Sequence, residues 1–200
     1  MPWQIQAATA DEWELQWCDK LTKAEIDNLP ELYSAIGREH GKPFHPDLPV
    51  IPYRQNSEHA TVPAICHGRW IFNVFVNQEV RSLIEEMDPA AHFFHPIELH
   101  LHSGNVIRDT YFLLRMGGPV DAIDPEESQV KAKYKDEKLV RYARLSVRPK
   151  ITWRADAIAG RHLWMDQYFR SDIYCSDEFM DELTRRNITH FRAIPSYVAN

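Results

Sequence analysis

Glycine is scarce in this chain: 7 of 200 residues. The loops that bring backbone amides onto phosphates need glycine, and neither GxGxxG nor GxxxxGK is present. HExxH and GxSxG are missing too, which removes the common zinc-hydrolase and serine-hydrolase signatures. Cysteine is limited to Cys18, Cys66 and Cys175. They are odd in number, far apart and outside any CxxC, which argues against a disulfide framework or structural zinc. No run approaches the 18 apolar residues a membrane-spanning helix requires. The first ten residues, MPWQIQAATA, have neither a basic nor an apolar signal region. The expectation is therefore a cytoplasmic protein of one domain, or of one domain with an appended piece.

Excess positive charge is also lacking. Lys and Arg total 23 against 29 Asp and Glu, a net charge of −6. That balance argues against a protein built to coat nucleic acid or anionic lipid, and suits a basic partner. Proline is plentiful at 13, and aromatics reach 12% with 6 Trp. Four prolines, Pro43, Pro46, Pro49 and Pro52, fall in GKPFHPDLPVIPYRQN, which reads as an extended connector. It separates an N-terminal piece, residues 1–60, from a domain over 61–200. In the N-terminal piece Thr22 and Glu25 form a capping-box pattern. Pro30 opens a second helix that Gly41 ends. Trp13, Leu15 and Trp17 alternate with polar residues as a strand would, whereas Thr9 and Glu12 suit a helix start.

Beyond the connector the pattern turns to strands. Trp70–Val76 is rich in aromatic and branched residues. Ile97, Leu99 and Leu101 alternate with Glu98, His100 and His102. Ser103-Gly104-Asn105 then suits a hairpin turn into Val106–Met116, and Leu139–Val147 gives another strand. A faint repeat joins the two halves: a short strand, a capping residue (Asn77; Ser176), an acidic first turn, an amphipathic helix and a second strand. The expected fold class is α+β, a mixed and mainly antiparallel sheet with a few packed helices and a partly helical N-terminal segment.

Three groups of residues could carry function. Glu98, His100 and His102 on one face of a strand could hold a transition metal with open positions, as a metal-dependent enzyme would. The bland alternative is the polar face of a half-buried strand. Cys66 and His67 are neighbours, but a strand would point them to opposite sides. The third group, Asp121, Asp124, Glu126 and Glu127, concentrates negative charge in one short segment. Such a loop suits contact with a basic protein surface. The aromatics Trp153, Trp164, Tyr168 and Phe169 suit either an interface or the core, with Trp164, Tyr168 and Phe169 at helical spacing.

Several of these residues recur in one order: Asp124-Pro125-Glu126-Glu127-Ser128, then His162-Leu163-Trp164, then Ser176-Asp177-Glu178, then a closing strand near Phe191. Over roughly residues 65–195 this order resembles bacterial immunity proteins of polymorphic toxin systems, a family first catalogued as a domain of unknown function. Asp124 and Ser128 match its Asp-x-x-x-Ser turn, His162-Leu163-Trp164 its His-aliphatic-Trp, and Ser176-Asp177-Glu178 its helix start. Thr189-His190 stands where the family usually has Gly. The resemblance implies a bacterial toxin inhibitor that acts by protein–protein interaction. It would bind a cognate toxin, occlude it and perform no catalysis, with no cofactor, nucleic acid or membrane involved.

Overall fold

A computed structural model describes residues 1–7, 15–17, 40–55, 62–67, 74–169 and 172–199. Local alternation of apolar and polar residues makes β1 (Trp3–Ala7), β2 (Leu15–Trp17) and β3 (Ile51–Gln55). The strand reading of Leu15–Trp17 is therefore the right one. The expected helices over 22–29 and 30–41 fall mostly on residues outside those described. β4 (Ile65–His67) and β5 (Val74–Asn77) lead into helix α1 (Gln78–Met87). The hairpin β6 (Phe93–His100) and β7 (Val106–Arg115) follows. A second hairpin pairs β8 (Val130–Lys135) with β9 (Lys138–Arg144). Then come β10 (Thr152–Trp153), the short α2 (Ala155–Ile158), β11 (Leu163–Trp164) and β12 (Ile173–Cys175). Helix α3 (Asp177–Arg185), β13 (Phe191–Pro195) and β14 (Tyr197–Val198) close the chain.

The α+β expectation, with its helical N-terminal segment, needs correction. Of the described residues, strand accounts for 42% and helix for 15%. The described part of residues 1–60 supplies three strands. A six-stranded sheet runs β2-β3-β6-β7-β5-β4, and a four-stranded one β11-β12-β1-β13. The reason lies in pairing at long range. β1 sits antiparallel between β12 and β13, and β3 lies parallel to β6. Local sequence shows neither partnership, because each joins segments far apart in the chain.

Both sheets bury two faces, which explains their continuous apolar runs. In the six-stranded sheet Val74, Val76, Phe112 and Leu114 face one cluster, while Phe75, Tyr111 and Leu113 face another. In the four-stranded sheet Ile173 and Cys175 join that first cluster, which both sheets share with helices α1 and α3. The intervening Tyr174 points into a third cluster around Trp153, Trp164 and Phe169. The proline-rich segment contributes Phe44 and Leu48 over the second cluster.

The internal repeat is a shared topology. Strands β5 and β6 both pair antiparallel with β7, which lies between them, so they run parallel and α1 crosses over. β12 and β13 flank β1 in the same way, with α3 as the crossover. Each is a split βαβ unit. The Asn77 side chain accepts the Val80 amide at 2.9 Å, and Ser176 Oγ accepts the Phe179 amide at 3.2 Å. The apolar stripes of the two helices meet in one core through Val80, Leu83 and Ile84 and through Phe179 and Leu183. An Arg186–Glu86 ion pair at 2.7 Å ties their far ends.

Candidate functional site

The four acidic residues lie on one loop between β7 and β8. Asp121, Glu126 and Glu127 are exposed and Asp124 is half-buried. Their roles differ. Asp124 Oδ1 accepts the backbone amides of Glu126 and Glu127 at 3.0 and 3.2 Å, closing the turn on itself. Asp121 pairs with Arg154 at 3.2 Å, and Glu127 with Lys150 at 3.8 Å. The loop's backbone is bound to its surroundings. Asp124 N–H donates to the Thr152 carbonyl, and Ser128 Oγ accepts the Thr152 amide at 2.8 Å. The Asp-x-x-x-Ser pair is thus a turn cap and an anchor to β10.

Under the loop lies a buried carboxylate that belongs to none of the sequence motifs. Asp166 is fully buried and accepts four backbone amides. Ala122 and Ile123 donate to Oδ2 at 3.0 and 3.1 Å, and Tyr168 and Phe169 to Oδ1 at 2.7 and 2.9 Å. Burial pushes its carboxyl above the ordinary value, and the four amides oppose that shift. One side chain thereby fixes the acidic loop to the segment after β11. The signal in the sequence is a lone Asp inside the apolar run LWMDQYF. Of the two readings open for these aromatics, Trp164 and Phe169 take the core, but from strand β11 and the irregular segment after it instead of a helix. Trp153 joins them, donating its indole N–H to Ser196 Oγ at 3.0 Å.

The other two motifs meet at a second hub. Asp88 ends α1 and has a side chain only 8% exposed. Its carboxylate accepts the His162 amide at 3.1 Å and the Leu163 amide at 2.7 Å, and lies 3.5 Å from His92 Nε2. Burial pushes this carboxyl up. The bonds from His92, His162 and Leu163 outweigh that and hold it below the ordinary value. His162 Nδ1 in turn contacts Ser176 Oγ at 3.1 Å, the atom that caps α3. His162 and Ser176 therefore bind one split unit to the other. Asp88 is legible only as a helix end before Pro89. Gly117 donates its amide to His92 Nδ1 at 3.1 Å. A Cβ at Gly117 would collide with the Ala91 carbonyl.

The histidine cluster is not brought together as expected. β6 ends at His100, so His102 lies in the turn and does not share the strand face. Glu98 is occupied on both oxygens, by His100 at 2.7 Å and by Arg108 at 2.8 Å. Among the described residues no three His, Cys, Asp or Glu side chains converge as a metal site would require. Cys66 and Cys175 are buried, and burial pushes both thiols far up, away from the nucleophilic thiolate.

Comparison with known proteins decides the family. The model of the immunity protein family (Imm11) matches residues 10–195. The chain belongs to that family. No curated protein matches it. The match takes in most of residues 1–60, where the motif resemblance found nothing, and so includes β2 and β3. In this Imm11 member the residues matching the family motifs all serve the framework. They fix the acidic loop, seat β11 and cap α3. No helix among the described residues is long and apolar enough to cross a membrane.

Proposed function

We propose that this protein neutralises a cognate toxin of a polymorphic toxin system by binding and occluding it, in the cytoplasm and without chemistry of its own. Membership of the immunity family carries the reading. Asp121, Asp124, Glu126 and Glu127 form the contact loop for a basic area of the toxin. What supports the loop is its rigidity: Asp166 and Thr152 hold its backbone in place, so little ordering entropy is lost on binding.

The test uses the toxin domain from which co-expression of this protein protects a cell. Asp124 is a poor probe, because its turn-closing bonds make any substitution destabilising. Glu126 and Glu127 are exposed, and Glu127 has only a loose pair with Lys150. The E126K/E127K variant is expected to keep its Tm and to bind the toxin about tenfold more weakly, mainly through slower association at low salt. Unchanged affinity and salt dependence would remove the loop from the interface.

A further inference from the structure

The overall charge of −6 conceals a strongly basic element. From Gln129 to Lys150 the chain carries eight Lys and Arg against two acidic residues, a local charge of +6. The remainder of the chain therefore carries −12. The basic stretch is the β8–β9 hairpin and the strand's continuation. Its base is anchored in the third core cluster by Val130 and Tyr142. Its outer part is exposed, with Lys131, Lys133, Lys135, Lys138 and Arg141 in solvent.

Two features set it apart from an ordinary soluble surface. The first is cross-strand register. Lys133 lies directly opposite Arg141, and Lys135 directly opposite Lys138. Like charges facing one another across a ladder destabilise it. Among the described residues no ion pair relieves any of these four, whereas Arg144 and Lys150 at the base are held by Asp172 and Glu127. The second is exposed apolar surface. Val147 is 89% exposed, Tyr134 65%, Leu145 63% and Val140 50%. Edge lysines that merely guard against aggregation would not need bulky apolar neighbours.

We propose that this hairpin is a docking arm for an acidic protein surface with an apolar centre, and that in the complex this surface belongs to the toxin. The second clause rests on the toxin-binding reading above. Unneutralised cations in register recruit carboxylates, and the aliphatic side chains supply desolvated contact. Nucleic acid is the poorer match: Tyr134 is the one aromatic among the arm's exposed apolar residues, so successive bases find no run of stacking platforms, and the charge on the rest of the chain repels a polyanion. The arm adjoins the acidic loop, since Gln129 N–H donates to the Lys150 carbonyl and Lys150 pairs with Glu127. The toxin then meets adjacent patches of opposite sign, an arrangement that selects one partner over its homologues.

The experiment compares the full chain with a K138E/R141E variant. Each substitution turns a like-charge cross-strand pair into an opposite-charge one, so Tm stays level or rises. Affinity for the protective toxin domain is expected to fall about tenfold or more, with a shallower dependence on salt. Neither a single-stranded RNA oligonucleotide nor vesicles of phosphatidylcholine and phosphatidylserine are expected to bind the wild type at near-physiological salt. A variant that protects cells and binds toxin as the wild type does overturns the arm while leaving the toxin reading intact. Tight binding of RNA or vesicles that the variant loses also overturns it. A wild type that neither protects against nor binds any toxin domain removes the toxin reading and the arm with it.

Discussion

Asp88 and Asp166 do structural work that their residue type alone does not announce. Each is a buried carboxylate satisfied by backbone amides of a distant segment. Removing the Asp88 side chain leaves the His162 and Leu163 amides without their acceptor. Asp88→Ala is expected to cost about 1–3 kcal/mol for each buried amide left unpaired, seen as a drop in denaturation midpoint. Its pH dependence has a definite sign. The folded carboxyl titrates below the ordinary value of 3.8, so its contribution is complete above that pH and disappears as the pH falls through the folded value. Asp88→Asn should therefore flatten the acid limb of the wild-type stability curve below about pH 4. An unaltered limb would show that Asp88 is not the group responsible. From the sequence the acidic loop stood out by its charge density. The seat beneath it did not, because one Asp among apolar residues gives no sign of which amides it will meet.

At the scale of elements, helix starts were plain in the sequence and strand partners were not. A cap is a local event: Asn77 and Ser176 each bond an amide three residues on, so the pattern sits within a few positions. The insertion of β1 between β12 and β13 joins the two ends of the chain, and nothing in Trp3–Ala7 specifies it. The His102 assignment differs for a related reason: the apolar–polar alternation continues through Leu101 and His102, two residues past the end of the strand at His100. The caps themselves allow a graded test. Asn77→Ala is expected to lower stability by about 1 kcal/mol, the usual value of a cap. Ser176→Ala should cost more, because the same hydroxyl also contacts His162 and through it the first split unit. Equal losses, measured by chemical denaturation, would mean that the His162 contact contributes nothing.

For the whole molecule, the framework and the surface have separate tasks. The residues that match the family motifs tie two split βαβ units and a third core together, and the adjoining acidic loop and basic hairpin are exposed; in the complex we propose, these two patches face the toxin. Net charge blurred this division in the sequence, because opposite local charges cancel in a sum. Neutralisation by occupancy makes a stoichiometric demand, which a titration of toxin activity with purified protein measures. Inhibition should be complete at one equivalent, and the toxin should regain full activity, with unchanged mass, once the complex is dissociated. Inhibition far below one equivalent, or a toxin left covalently altered after separation, would contradict occlusion and point to catalysis.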